Sequence, residues 1–442
     1  PQFVEAQKWL SFGIKSLWQE LDRQVLEDGC SYEGSTTYHS FVLEMVLWVL
    51  ILLRSENNSI PESINYKVIK MVQFVQDITY PDGVMPLIGD YDGGRFFKFH
   101  VIESGNEGNK NYSHVLAIGS VLYPDKDFGN KVRCQWDDAF WLFGEEAFQK
   151  FNKITKEKNY RESSRNTAIS KTYSQGGYHI SQSIEGNTKY NVRMATKDGP
   201  GSHRHNDVCS FEYYYDGARW FIDPGNYTYT LDYEKRNDFR SIKSHNTLQF
   251  NNYEVVDLIG SKPFFRGKEL KPRSINISTI DYDIQGIFYR GYHHLEESDF
   301  SHNRFFVFSK NDGSILIRDH YFSNRKNDIH VRFFLDPEIT IINKIQDRVY
   351  VLKTSDQKSK LYFINNSNFE LEIKNGLISP MYGRIEITRK LHFFQSDSSR
   401  GEIDFYIIPG IIKLQENLDI IKNELTEELR SFQAKIRVTR NR

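Results

Sequence analysis

A chain of 442 residues is too long for one ordinary hydrophobic core, and its length predicts two or three domains. A formal net charge of -1 excludes a general attraction for polyanions such as nucleic acid, so an acidic ligand needs a local basic groove, for which Arg204, Arg236, Arg240 and Lys243 are candidates. The three cysteines, Cys30, Cys134 and Cys209, are scattered, which excludes a disulfide framework and a zinc-ribbon spacing.

Apolar positions at helical spacing (Phe3, Leu10, Ile14, Leu17, Leu21, Val25) predict a first helix over 3–27, closed by Asp28-Gly29. Further helices are expected at about 37–54, 62–79, 112–122 and 136–150. The longest apolar run, Phe41 to Leu53, is 13 residues interrupted by Glu44. It falls short of the roughly 20 residues a bilayer span needs, so it reads as a buried helix and no membrane span is expected. Between the first two helices, residues 28–39 form a polar loop rich in tyrosine, acid and histidine, a plausible place for catalysis. The Gly- and Asp-rich loop at 80–95 lacks EF-hand ligand spacing and a phosphate motif, and is read as a tight structural turn. The charged stretch 152–167 reads as a linker.

From Ala168 onward the pattern changes to short alternating runs (YHISQSI, KYNVRMAT, FFVFSK, SILIRDHYF, DIHVRFFL, KLYFIN, GRIEITRKLHFF, EIDFYIIP), split by Gly, Asn and Asp. This pattern predicts antiparallel sheets packed as a sandwich. Lys413 to Arg430 is helix-like and charged. The expected organisation is a helical part at 1–151, a linker at 152–167 and a β part at 168–442 with a helical tail.

Residues 201–247 gather three histidines, five aspartates and four arginines. Ser210–Tyr215 and Ala218–Asp223 flank Asp216-Gly217, the strongest short signal for a two-residue hairpin turn. In an extended chain His203 and His205 point to one face about 7 Å apart. Two imidazoles and a carboxylate suit zinc, yet a simple hairpin register sets Asp223 opposite Ser210, so a site with Asp223 needs the 201–207 loop to fold back. Singly, His203, His205 and His245 could each be an ordinary hydrogen-bonded strand-end histidine.

Taken together, Tyr32-Glu33-Gly34-Ser35-Thr36-Thr37-Tyr38-His39, Gly201-Ser202-His203-Arg204-His205-Asn206-Asp207, Phe221-Ile222-Asp223-Pro224-Gly225, and Arg240-Ser241 with Ser244-His245-Asn246-Thr247 resemble the heparinase II/III family of polysaccharide lyases. The resemblance covers nearly the whole chain. It implies a multidomain α+β protein, an incomplete (α/α) toroid followed by an antiparallel β-sandwich. It implies β-elimination on a uronic-acid-containing polysaccharide, such as a bacterial surface or capsular polymer, with Tyr38 and His203 as acid/base. It also implies a structural zinc on His205, Asp223 and His245. Glu33, His39 and Arg204, with Tyr227, Tyr229, Tyr233, Arg236 and Arg240, are the expected substrate contacts. Family members carry a carboxylate-neutralising asparagine on a helix before the tyrosine loop. Pro1 to Asp28 holds no Asn and no His, so that helix is expected upstream of Pro1. The competing readings are a glycan-binding or polysaccharide-assembly protein that keeps the fold, and a zinc hydrolase using His203, His205 and Asp223. Oligomeric state is not legible. No signal peptide is present from Pro1, and a periplasmic or secreted location is expected only because a lyase must meet its polymer.

Overall fold

The computed structural model describes residues 3–97, 99, 111–129, 134–161, 168–183, 188–193, 203–258, 264, 272–293, 297–346, 348–410 and 414–440. The chain divides into two compact units: Pro1–Ser163 with Tyr173–Gly176 and Gly199–Arg204, and the remainder.

The first unit is helical: α1 (Ala6–Gln24), α2 (Thr36–Ser55), α3 (Glu62–Ile78), α4 (His114–Leu122), α5 (Asp137–Phe143) and α6 (Glu145–Arg161). Leu43, Val46, Leu47 and Leu50 of α2 follow the i, i+3, i+4, i+7 spacing and are fully buried. They pack with Val68, Met71 and Val75 of α3 and with α4, which is buried along its whole length. By length and composition α2 is the one helix among the described residues able to cross a membrane. Its burial in this core gives its apolarity a sufficient reason. On α1 only the C-terminal end is inside: Leu21 and Val25 are buried, whereas Phe3 and Leu10, expected on the same stripe, are exposed.

Two boundaries differ from expectation. The helix foreseen at 136–150 is broken at Gly144, whose φ of 54° stops α5. The supposed linker is helical from 152 to Arg161 as the continuation of α6, and 162–167 lie outside the described residues. That stretch is charged but rich in Lys and Glu, has no Gly or Pro, and starts from Glu145 and Glu146, which suit a helix N-terminus.

The second unit holds two antiparallel sheets. Five strands lie in sequence order: β1 (Ile169–Tyr173), β2 (Tyr178–Gln182), β3 (Thr188–Arg193), β4 (Phe211–Tyr215) and β5 (Ala218–Phe221). The foreseen turn joins β4 to β5, with Asp216 and Gly217 at φ 51° and 81°. Tyr215 pairs with Ala218 and Tyr214 with Arg219, then a bulge brings Tyr213 opposite Phe221. The simple register that would set Asp223 opposite Ser210 is therefore displaced. The KYNVRMAT run yields β3 up to Arg193, and 194–202, with Gly201 and Ser202 of the quoted motif, lie outside the described residues.

After α7 (Tyr233–Arg240) and the short β6 (Leu248–Phe250) come β7 (Arg273–Ser278), β8 (Tyr282–His293), β9 (Ser298–Ser309), β10 (Ile315–Phe334), β11 (Ile339–Gln346), β12 (Val349–Thr354), β13 (Lys360–Asn365), β14 (Glu370–Met381) and β15 (Arg384–Pro409). They form the large sheet, ordered β11-β12-β13-β15-β10-β9-β8-β7, with β14 on β15 and β6 on β10. Period-2 alternation sorts its side chains. Phe306, Ile317, Phe333, Phe393 and Phe405 meet Phe211, Tyr213 and Phe221 of the small sheet, forming the sandwich core. The opposite face, including Val307, Leu316, Tyr406 and Ile408, is covered by Leu425, Leu429 and Phe432 of α8 (Leu414–Arg440). The C-terminal helix is thus a packing element, one side buried at i, i+4, i+7 spacing.

Candidate functional site

Two groups of chemically competent side chains stand out, one in each unit. In the helical unit the first turn of α2 fixes Tyr38. Ser35 caps the helix, its Oγ accepting from the Tyr38 backbone N–H at 3.2 Å. The same turn is stitched to the 86–90 loop: the Ser35 and Thr37 hydroxyls donate to the Asp90 carbonyl at 2.7 and 2.8 Å, and Thr36 Oγ1 donates to the Pro86 carbonyl at 2.6 Å. Asp90 in turn donates its backbone N–H to the His203 carbonyl at 2.9 Å. The result places the half-buried Tyr38 ring flat against the His203 imidazole, centroids 3.8 Å apart and planes 12° from parallel.

Each ring has its own carboxylate. Tyr38 donates its hydroxyl to Asp92 Oδ2 at 2.6 Å, and His203 Nδ1 lies 3.0 Å from Oδ2 of the fully buried Asp90. Glu33 Oε1 stands 3.7 Å from His203 Nε2, and burial pushes the Glu33 carboxyl up against the pull of His203. The 80–95 loop, read from sequence as a structural turn, therefore supplies two carboxylates to this group. The signal was its aspartate content beside glycines, which turn chemistry alone also explains.

Two expected substrate contacts of this unit are buried and hydrogen-bonded to the backbone. His39 is buried; its Nδ1 accepts from the Ser31 N–H and its Nε2 meets the Met71 carbonyl, both at 3.1 Å. Burial pushes its ring down to about 4, so it is neutral at neutral pH. Arg204 is buried as well, its Nη2 donating to the Tyr32 carbonyl at 2.6 Å. Its stem fills the space beside Gly34, whose φ is 74° and whose missing Cβ would lie 2.4 Å from Arg204 Cγ. Gly34 is thus required twice, by backbone conformation and by close approach.

In the β unit, His205, Asp223 and His245 are all buried and each brings a potential ligand atom within 4.8 Å of the others. The 203–207 segment does fold back, and His205 is the histidine it delivers. His245 Nδ1 lies 2.9 Å from Asp223 Oδ2, and its Nε2 is buried with no hydrogen-bond partner, an orphaned lone pair of the kind a cation satisfies. Burial disfavours a charged His245 ring, but the Asp223 carboxylate overrides this and raises its pKa. The donor set, two imidazoles and a carboxylate, fits zinc chemically.

The Ser-His-Asn-Thr run is built to hold this group. Asn246 donates from Nδ2 to the carbonyls of Phe211 at 2.8 Å and Ile222 at 3.0 Å and accepts from the Phe334 N–H at 2.6 Å. It pins the hairpin to β10. Glu254, which sequence reasoning missed, accepts from Asn206, Ser241 and the Ile242 N–H, and burial raises its pKa. No spacing rule points to it.

The remaining expected contacts are mixed. Arg236 and Arg240 are fully buried; Arg236 donates to Asn226 Oδ1 at 2.8 Å and lies 5.2 Å from the centre of the Tyr229 ring. Tyr229 also packs 5.1 Å from Tyr382. Tyr227 is half-buried against Phe239, and Tyr233, near the α7 N-terminus, is exposed. A second acid-histidine group, Glu44, His114 and Asp138, lies inside the helical unit. Arg95 bridges its acids at 3.3 and 3.1 Å, so it reads as an ion-pair cluster that anchors the loop carrying Asp90 and Asp92.

Comparison with known proteins gives the same assignment from both parts of the chain. Residues 165–408 match the model of the heparinase II/III-like C-terminal region, and residues 1–98 that of the heparinase II/III N-terminus. A heparin-sulfate lyase of Bacteroides thetaiotaomicron is 23% identical over 92% of this chain and 54% of its own length, and one of Pedobacter heparinus is 22% identical over 89% and 52%. The chain spans about half the length of these curated relatives. The solved heparan sulfate lyase of Pedobacter heparinus superposes with a TM-score of 0.66 at 19% identity, covering 92% of this chain and 57% of that one. The likeness supports the fold expected from sequence, helices of an (α/α) toroid followed by an antiparallel β-sandwich. With one family model alone covering more than half of the sequence, the chain belongs to the heparinase II/III-like family.

Proposed function

We propose that this chain carries the acid–base centre of a polysaccharide lyase that cleaves a uronic-acid-containing polysaccharide by β-elimination. The observation that carries the reading is the Tyr38–His203 stack with a carboxylate on each ring. In the reaction a base removes the C5 proton, the electron pair forms the C4–C5 double bond, the C4–O bond breaks, and an acid protonates the leaving oxygen. Asp90 accepting from His203 Nδ1–H leaves Nε2 as the basic nitrogen, suited to take the C5 proton. Tyr38 is set to give its proton to the leaving oxygen. Its hydroxyl donates to the Asp92 carboxylate.

In the same reading His205, Asp223 and His245 would hold a zinc ion, which would supply orientation and folding energy to the β unit. Burial of all three donors supports a structural ion over the hydrolytic one. An acidic polymer as substrate also argues for a periplasmic or secreted protein. The names of the relatives point to heparin-type glycans as the first substrates to try.

The test is absorbance of the 4,5-unsaturated uronate on incubation with heparan sulfate, hyaluronan, alginate and bacterial uronate polymers. A rise that disappears in His203→Ala establishes the reading. Binding without any rise transfers the chain to the glycan-binding class.

A further inference from the structure

The β unit also has a pocket of about 300 Å³, lined from α7, β10, β14 and β15 and by Lys243 and Ser244, which precede His245. Its floor follows from strand alternation. Arg332 and Phe334 alternate with Val331 and Phe333 of the sandwich core, and Lys390 and His392 alternate with the core residues Leu391 and Phe393. Register then aligns them: Arg332 is opposite His392, Phe334 opposite Lys390, and Lys374 opposite the same Lys390 from the other side.

Two lysines directly across a strand pair repel, a placement that costs stability. Here Arg332 lies diagonally beside them and Lys243 adds a fourth cation to the lining, against the single carboxylate of Asp238. Asp238 is committed to Lys243 at 2.5 Å, and Glu372 to Lys374 at 2.5 Å. Among the described residues, no carboxylate pairs with Lys390 or Arg332. Lys390 lies over the Phe334 ring at 5.3 Å, and Arg332 donates to Gln249 Oε1 at 2.8 Å. The carboxyl that acts on Arg332, Glu254, is taken up by Ser241 and Asn206. Burial and then repulsion from Arg332, Lys374 and Lys243 push the Lys390 ammonium down to about 8, and burial pushes Arg332 down to about 10. Lys390 and Arg332 thus leave uncompensated positive charge in a concave site, which concentrates anions.

We propose that this pocket binds a tetrahedral oxyanion, a sulfate or phosphate group, through Lys390, Lys374 and Arg332, with Lys243 at its edge. Two ammonium groups and a guanidinium approaching from three strands suit the several oxygens of such a group better than a planar carboxylate. The inference stands on the charge layout and holds whether or not the chain is a lyase.

Calorimetric titration of the whole protein with inorganic sulfate, inorganic phosphate, glucosamine 6-sulfate and glucosamine tests it. One site for sulfate or phosphate is expected, weakened about tenfold in Lys390→Gln and in Lys374→Gln, as befits loss of one charge-assisted hydrogen bond, and unchanged in Lys326→Gln, a surface lysine on Asp397. Without anion, Lys390→Gln should melt no lower than the parent, because it removes repulsion from Lys374 and Arg332 and breaks no ion pair. Tighter binding of glucosamine 6-sulfate than of inorganic sulfate, with none of glucosamine, assigns the group to a sulfated sugar; the reverse order assigns it to the free ion. Absence of binding by all three anionic probes, or binding that both pocket variants leave intact, overturns the proposal.

Discussion

The phenol ring of Tyr38 lies face to face with the imidazole of His203, 3.8 Å between centroids, although the two residues come from distant parts of the sequence. The contact fixes both rings but leaves their chemistry to their edges, where Asp92 and Asp90 attach. Removing one hydroxyl or one charge should therefore separate chemistry from framework.

Tyr38→Phe keeps the stack and the Ser35 cap while deleting the proton donor. Elimination, followed by ultraviolet absorbance, should fall by about 10²- to 10⁴-fold, the usual worth of a positioned acid or base, with polymer binding retained. Asp90→Asn should also slow turnover, because an amide can donate to His203 Nδ1 as well as accept from it and so no longer fixes the tautomer, while binding stays intact. Full activity in Tyr38→Phe would sink the assignment of Tyr38.

Gly34→Ala sets a Cβ 2.4 Å from Arg204 Cγ at a backbone φ of 74°. The substitution should cost roughly 1–2 kcal/mol, read as a lower midpoint in chemical denaturation. A midpoint equal to the parent's would show that Arg204 yields freely and is no strut.

His245→Ala removes one donor of the buried His205–Asp223–His245 set. If zinc is resident, elemental analysis of the parent should find about one equivalent and the variant far less, with a lower melting temperature. A parent free of zinc after preparation and dialysis in zinc-containing buffer would remove the ion from the account.

His39 gives a pH dependence of known sign. Its folded pKa is about 4 against an ordinary 6.5, because burial disfavours the cation. Between those values the unfolded chain binds the proton more readily, so the contribution to stability is complete above about pH 6.5 and is lost as pH falls towards 4. The gap is worth roughly 3 kcal/mol. In His39→Asn, whose amide oxygen can take the Ser31 N–H, the loss of stability between pH 7 and pH 4.5 should shrink by about that amount. An unchanged pH dependence would assign the effect elsewhere.

Where a local pattern decides structure, the sequence was readable. The Asp216-Gly217 turn, the buried α2 and the alternation of β9, β10 and β15 all follow from residue types a few positions apart. What it hid depends on long-range placement. Asp90 and Asp92 sit in a loop whose glycines and aspartates suit any tight turn, and only the stitching to Ser35 and Thr37 brings them to His203 and Tyr38. Glu254 reaches its place beside Asn206 and Ser241 through tertiary folding alone. At His39, Arg236 and Arg240 the motif suggested ligand contacts, and long-range packing, which no motif displays, buries all three. The charged 152–161 stretch was judged by its composition, while its freedom from Gly and Pro allowed α6 to continue.

β10 runs for 20 residues, and its two faces serve different neighbours along its length. Ile317, Val331 and Phe333 point into the sandwich, Leu316 meets the α8 side, and Arg332 helps floor the cationic pocket. Because alternation allows no half-steps, inserting or deleting one residue within either regularly paired run would exchange these faces downstream. The register breaks between Phe322 and Ile329 divide the strand into two such runs. That irregular middle is where the strand can absorb a change in length, and the natural place to graft a loop into this unit.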